Sequence, residues 1–289
     1  MNKKNYRILI IGASGMLGNS AMRFFSQYEE FETIGTVRTE HKKLLLPLKY
    51  HKNIICDINI ESDDVLEKLF LKVKPDLVVN CIGIVKQLSQ SDDALVAIPI
   101  NSLLPHKLAK FCERINARLI HISTDCVFSG SKGMYIESDI PDAKDLYGKS
   151  KYLGEVDYPN TITLRTSMVG HELNTSRSLL GWFLAQEGDV RGFSNAIFSG
   201  LPTVEICRII RDYIIPQTSL CGIHHVSSEP INKFEFLNLV AKIYGKHISI
   251  IEDKSLTINR SLDSTKFKNL TGYHSESWPE LIKKMHEFN

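Results

Sequence analysis

The chain has 289 residues, enough for one or two domains in which about 70–75% of the unfolded surface is buried. Hydrophobic residues make up 43% and charged residues 24%, near the average for a folded domain, which excludes a disordered or collagen-like chain. The 35 basic and 33 acidic side chains nearly cancel to +2, and no run of like charges marks a nucleic-acid surface. No stretch approaches the ~18 apolar residues of a membrane span, and the apolar run at residues 8–11 is too short for a signal-peptide core. A cytoplasmic protein with neither membrane nor nucleic acid as partner is expected. Six scattered cysteines without a CxxC pair, and a His171-Glu172 step lacking a second histidine, point to reduced thiols and no metal.

Short β-branched runs alternate with stretches of helical period through the first half, the pattern of βαβ units on a parallel sheet. Strands are predicted at residues 7–11, 33–37, 53–56, 77–81, 118–123 and 161–165, and helices at 16–27, 62–72, 98–116 and 146–156. Right-handed crossovers then place helices on both sheet faces. After Gly170 the pattern loosens into a helix at 179–186, a loop rich in Gly, Ser and Asn, a helix at 204–215 and a strand at 222–226. The expected architecture is α/β. A Rossmann-type doubly wound parallel sheet spans 1–170, with part of 202–226 returning to it, and a smaller interleaved substrate lobe takes most of 171–289.

Between the first strand and first helix stands Gly12-Ala13-Ser14-Gly15-Met16-Leu17-Gly18. Glycines there permit a tight turn and close approach of a pyrophosphate, whose charge is met by the amides at the helix N-terminus. The bland alternative is an ordinary βα turn. The GxxGxxG spacing is similar to that of extended short-chain dehydrogenases, which implies NADP(H) or NAD(H) as cofactor. Where an acidic residue would accept the ribose hydroxyls of NAD, this chain has Arg38, which suits the 2′-phosphate of NADP(H) and makes NADP(H) the preferred cofactor, with NAD(H) kept open. By position, Asp57 and Ile58 after the third strand would meet adenine, and Cys81, Ile82 and Gly83 after the fourth would pass the riboses.

Tyr147-Gly148-Lys149-Ser150-Lys151 puts Tyr147 and Lys151 on one helix face. An ammonium beside a phenol favours phenolate and makes the tyrosine a usable proton donor near neutrality. Thr124 and Asp125 follow the fifth strand, at the end where ligands of open α/β sheets bind. Taken together, STDCVFSG, YGKSKYLGE and the helix AIPINSLLPHKLAKFC resemble the dTDP-4-dehydrorhamnose reductase family, over about the first 170 residues. The resemblance implies that Thr124 hydrogen-bonds the substrate carbonyl, that Tyr147 protonates its oxygen, and that Lys151 holds the nicotinamide ribose and tunes Tyr147. It also implies that Arg165, in an Arg-Thr-Ser step, lines the nicotinamide.

The implied partner is a nucleotide-sugar substrate, a nucleoside-diphosphate 4-keto-6-deoxysugar of cell-surface polysaccharide biosynthesis. Asp125 lies at its expected site, Lys86-Gln87 replaces the family's usual Ala-His-Thr there, Arg260 would take the diphosphate and Phe193 could stack on sugar or base. Cys126 in place of a glutamate argues against a dehydratase. An epimerase and a non-catalytic cofactor-binding subunit, like the regulatory subunit of methionine adenosyltransferase, stay as alternatives, and a homodimer is allowed but not specified.

Overall fold

The computed structural model describes residues 5–86 and 89–289. In chain order it runs β1 (Tyr6–Ile11), α1 (Met16–Phe25), β2 (Phe31–Thr36), α2 (Glu40–Lys43), β3 (Ile54–Ile55), α3 (Asp63–Val73), β4 (Leu77–Asn80), α4 (Ala94–Ala97), α5 (Leu104–Arg114), β5 (Arg118–Ile122), α6 (Leu146–Leu153) and β6 (Thr161–Arg165). There follow β7 (Met168–Val169), α7 (Leu179–Leu184), β8 (Val190–Phe193), β9 (Ala196–Phe198), β10 (Leu201–Pro202), α8 (Thr203–Ile209), β11 (Gly222–His225), β12 (Ile231–Asn232), α9 (Lys233–Tyr244), β13 (Ile250–Asp253), β14 (Ile258–Asn259), α10 (Thr265–Thr271) and α11 (Trp278–Glu287).

Seven strands form one sheet in the order β3-β2-β1-β4-β5-β6-β11, with β1 parallel to both β2 and β4. Strand order reverses between β1 and β4, and the crevice beyond their C-terminal ends is where such sheets bind ligands. Ile8, Leu9, Ile10 and Ile11 are wholly buried, which is why the strand reads as a continuous apolar run rather than an alternating one. Leu66, Phe70, Leu104, Leu108 and Phe111 from α3 and α5 pack with Leu9, Val78 and Leu119 of the sheet. Local chemistry sets the helix ends. Ser62 Oγ caps α3 through Val65 N at 3.4 Å, Asp63 and Asp64 sit in its first turn, and Lys74 closes it in the left-handed conformation.

The helix expected at 98–116 begins earlier, at Ala94 under an Asp93 cap, and widens into a π turn over Ile98–Leu103 before α5. Pro105 accounts for the widening: it has no N–H to offer the Asn101 carbonyl four residues back, and its ring would press on that carbonyl. The strand expected at 53–56 shrinks to two residues, because pairing with β2 ends at Thr36–Ile55 and the backbone reverses at Asp57, φ 58°.

The chain divides into two compact units. The first holds the residues through Ser123, Asp145–Leu164 and Ser219–Ile223; the second holds Thr124–Lys144, Arg165–Thr218 and His224–Asn289. A single cut near residue 170 misses the excursion after β5. Residues 124–144 go with the second unit because Tyr135 N donates to Ser261 O, Met134 N donates to Ser261 Oγ, and Val127, Phe128, Tyr135 and Leu262 form one apolar cluster. Within that unit β8 pairs in parallel with β13, and β9 pairs with β12 and β14. Among the described residues no helix is long and apolar enough to cross a membrane.

Candidate active site

In the first unit, the turn between β1 and α1 uses its glycines for different reasons. Gly12 has φ +91°, and a Cβ there would fall 2.6 Å from Ile82 Cγ1; a Cβ on Gly18 would lie 2.0 Å from Gly12 O. The fold itself therefore demands both. A Cβ on Gly15 would meet only Gly12 O at 3.5 Å and Cys81 O at 3.8 Å, which are ordinary contacts. Gly15 keeps open a space at the head of α1 that the protein does not fill. That helix has Gly15 as its cap, no side-chain cap bond and no acid in its first turn, so its leading amides remain suited to an anion. Ser14 and Met16 border the space half-buried, while Leu17 turns into the core. Thr36 Oγ1 accepts from Gly12 N at 3.2 Å and holds the start of the turn against β2.

Two residues past β2, Arg38 is exposed and has no hydrogen-bond or ion-pair partner among the described residues. Asp57 is exposed in its left-handed turn, whereas Ile58 donates from its backbone N to Val37 O at 3.2 Å and packs on the core. The loop after β4 is held at three points. Cys81 N donates to Ile11 O, Ile82 N to Asn80 Oδ1 at 3.1 Å, and Ile84 N to Asn101 Oδ1 at 2.8 Å. Asn101, wholly buried in the π turn, also donates to Ile84 O and to Ser150 Oγ, tying this loop to α6. Gly83 stays exposed, and burial pushes the Cys81 thiol up to about 12, so it carries no charge.

Asp145 caps α6 by accepting from Gly148 N at 2.8 Å and also takes the Lys86 ammonium at 2.7 Å. Lys86 is thus engaged in an exposed ion pair; Gln87 lies outside the described residues. Tyr147 is half-buried one turn before Lys151, which is only 5% exposed. Lys151 Nζ donates to Ile122 O at 2.7 Å, its single hydrogen bond among the described residues, and a Cβ on Gly83 would lie 3.8 Å from it. An ammonium has three donors, so two are left for a ligand beside the Cys81–Gly83 loop. Burial lowers the Lys151 ammonium from its ordinary value to about 8, and Glu155 opposes that shift.

In the second unit, Thr124 Oγ1 accepts from Cys126 N at 3.1 Å and donates to Asp125 Oδ1 at 3.2 Å. Burial raises Asp125, and the cations of Arg260 and Lys233 work against that rise. Arg260 Nε donates to Phe128 O at 2.9 Å, so its stem is fixed while the side chain stays half-buried. Arg165 is 2% exposed, lies over the Phe128 ring and donates from Nη1 to His225 Nε2 at 3.3 Å. His225 Nδ1 donates to Tyr135 O at 2.9 Å, and burial holds that imidazole down at about 4. Phe193 ends β8, half-buried opposite Asp253.

The first unit therefore brings together Gly12, Ile82, Gly83 and Lys151, and the second brings together Thr124, Asp125 and Arg260. Arg165 belongs to a separate buried cluster with Phe128 and His225, and Phe193 stands on the β8–β13 ribbon. Sequence reasoning passed over Lys233, the Asn80–His121 pair and the Ser123–Glu155 bond. Only Glu155 carried a signal, four residues beyond Lys151 in YLGE.

The chain matches the RmlD substrate binding domain family over residues 6–287. A dTDP-4-dehydrorhamnose reductase of Aggregatibacter actinomycetemcomitans is 24% identical over 307 residues, covering 98% of this chain and 99% of the relative. A methionine adenosyltransferase 2 subunit beta of Bos taurus is 29% identical over 314 residues, covering 98% and 91%. Among solved structures, the dTDP-4-dehydrorhamnose reductase of Bacillus anthracis in complex with NADP superposes with a TM-score of 0.81 over 100% of both chains at 19% identity. The α/β fold with its central parallel sheet is common to both.

Proposed function

Because this chain belongs to the RmlD substrate binding domain family, we propose that it is an NAD(P)H-dependent reductase of a nucleoside-diphosphate 4-keto-6-deoxysugar, serving cell-surface polysaccharide biosynthesis and preferring NADP(H). The observation that carries the reading is Lys151: a buried ammonium with one protein acceptor and two unspent donors, one helical turn beyond Tyr147. The space kept by Gly15, the uncapped α1 terminus and the unpaired Arg38 fit a dinucleotide with a 2′-phosphate. When bound, such a cofactor supplies the hydride.

The protein's own groups do the rest. The amides of Met16 and Leu17 receive the pyrophosphate, and Arg38 forks onto the 2′-phosphate. Asp57 and Ile58 border the adenine, and Cys81 to Gly83 the riboses. Lys151 spends its two free N–H groups on ribose hydroxyls, and its charge stabilises the phenolate that Tyr147 becomes on giving its proton to the carbonyl oxygen. Thr124 donates to the substrate carbonyl once its hydroxyl proton turns away from Asp125. Arg260, with its stem fixed by Phe128 O, takes a substrate phosphate.

The test follows the near-ultraviolet absorbance of NADPH, then NADH, across a panel of nucleoside-diphosphate 4-keto-6-deoxysugars, for the wild type and Tyr147→Phe. Oxidation that drops by about two orders of magnitude or more in the variant supports the reductase, since a lost general acid costs ~10²–10⁴-fold. A second reading, a non-catalytic cofactor-binding subunit, is favoured by the 29% identity to the bovine subunit beta. It predicts saturable NADPH binding without oxidation of any panel member.

A further inference from the structure

Lys151 sits in a seat that offers little to a positive charge. It is 5% exposed, its one acceptor is the neutral Ile122 carbonyl, and no carboxylate lies within ion-pair distance among the described residues. The groups facing it in the first unit are few. Tyr147 precedes it by four residues on α6, and Glu155 follows it just past the α6 cap. The loop after β4, which carries Cys81, comes near it at Gly83, and the Lys151 charge reaches His121 on β5, on which His106 of α5 also acts.

His121 and Cys81 carry no charge. His121 is wholly buried, and its Nδ1 accepts from Asn80 Nδ2 at 3.1 Å, because Asn80 Oδ1 is taken by Ile82 N. Its proton is then on Nε2, which finds no partner among the described residues, and burial first, then the charge of Lys151, holds its basicity well below the ordinary imidazole value. The Cys81 thiol is neutral for the same reason of burial. That leaves Glu155. Ser123 Oγ donates to Glu155 Oε1 at 2.7 Å, and Ser123 is the residue directly after Ile122, whose carbonyl takes the Lys151 ammonium. Two adjacent residues at the end of β5 thus hold the Lys151 ammonium of α6 and the carboxylate of Glu155, which lies just past the Gly154 cap of that helix.

We propose that Glu155, anchored by Ser123, is a positioning residue whose carboxylate keeps the buried Lys151 ammonium protonated in the neutral range. The consequence rests on the reductase reading for its catalytic meaning, since a neutral amine at 151 would no longer stabilise a Tyr147 phenolate. The charge balance itself does not. Glu155 also opposes the burial that brings Lys151 down to about 8, and nothing else acts in its favour.

The deciding measurement is a titration of the Lys151 side-chain carbon resonance by NMR in the full chain, assigned by its absence in Lys151→Met. Glu155→Gln keeps an acceptor for Ser123 and removes the charge. The Lys151 midpoint should fall by about one pH unit, and the ratio of variant to wild-type turnover should drop about fivefold between pH 6 and pH 8 as the charged fraction follows that midpoint. A structural role alone would lower turnover by one factor at every pH. If Glu155→Gln does not fold, Ser123→Ala and Glu155→Asp loosen or withdraw the carboxylate and should move the midpoint the same way by less. A midpoint unmoved or raised in the variants that fold overturns the proposal. Since the titration needs no substrate, absent turnover in the wild type would sink the reductase reading and leave this inference to stand or fall on the resonance.

Discussion

Replacing Lys151 by methionine should make the protein more stable at neutral pH while removing its activity. Lys151 titrates at about 8 against an ordinary 10.5. A basic group lowered by folding gives up its proton to the unfolded chain, so the folded state is penalised wherever the unfolded amine is charged. The penalty is complete below about pH 8 and fades as pH rises toward 10.5. Those two values correspond to about 3 kcal/mol at pH 7 and about 1 kcal/mol at pH 9.5. Methionine fills a similar volume without a charge, but leaves Ile122 O without its donor, which costs about 1–3 kcal/mol. The net expectation is a gain of up to about 2 kcal/mol at pH 7, or ~4 °C in Tm at ~2 °C per kcal/mol for a chain of this size. Relative to wild type, that gain should shrink by about 2 kcal/mol on moving to pH 9.5. Denaturant melts of both proteins at the two pH values measure the difference, alongside turnover. A variant destabilised by the same amount at both pH values would refute the buried-charge argument.

The glycines of the first turn should separate by substitution. Gly18→Ala drives a Cβ to 2.0 Å from Gly12 O, so Tm should fall by many degrees or the chain should not fold, whereas Gly15→Ala meets only ordinary contacts and should leave Tm within a few degrees while weakening NADPH binding about tenfold or more. Fluorescence titration with NADPH and thermal melts check both. Arg38→Ala should raise KM for NADPH by about 10- to 100-fold, the worth of ~1.5–3 kcal/mol for charge-assisted bonds, and leave KM for NADH nearly unchanged. His225 is held at about 4, first by burial and also by the Arg165 cation. The unfolded imidazole takes a proton that the folded one refuses, so stability should be lost as pH falls from 6.5 toward 4, read from Tm against pH.

Much of the architecture was legible because its causes are local. Apolar runs at 7–11 and 77–81 mark strands buried on both faces, and β1 and β4 formed there within a residue or so. Tyr147 and Lys151 could be put on one helix face from spacing, and Asp145 supplied the cap that starts α6. The glycine turn was legible as a turn, but not the division of labour within it. Whether a Cβ at 15 or 18 is forbidden depends on where Gly12 O and Cys81 O come to rest.

Elsewhere the cause lies far along the chain. The β8 ribbon exists because Val190–Phe193 finds Ile250–Asp253 some sixty residues later, and four residues without that partner carry no strand signal of their own. The excursion 124–144 reads as a loop until Ser261 and Leu262 give its backbone and apolar side chains somewhere to go. Pro105 is visible in the sequence, yet the π turn it causes gains its meaning only when Asn101 reaches both Ile84 and Ser150.

Periodicity, turn chemistry and the Tyr-Lys spacing are properties of neighbouring residues, and the sequence by itself determined the α/β class, the glycine turn between β1 and α1, and the placing of Tyr147 and Lys151 one turn apart on a helix. Burial and electrostatics are not local quantities. Only the tertiary structure decided that Lys151 is dry and singly hydrogen-bonded, that His121 is neutral with an unmet N–H, that Ser123 aims Glu155, and that Lys233 joins Arg260 around Asp125. Each depends on which low-dielectric surroundings and distant charges the folded chain gathers about a group.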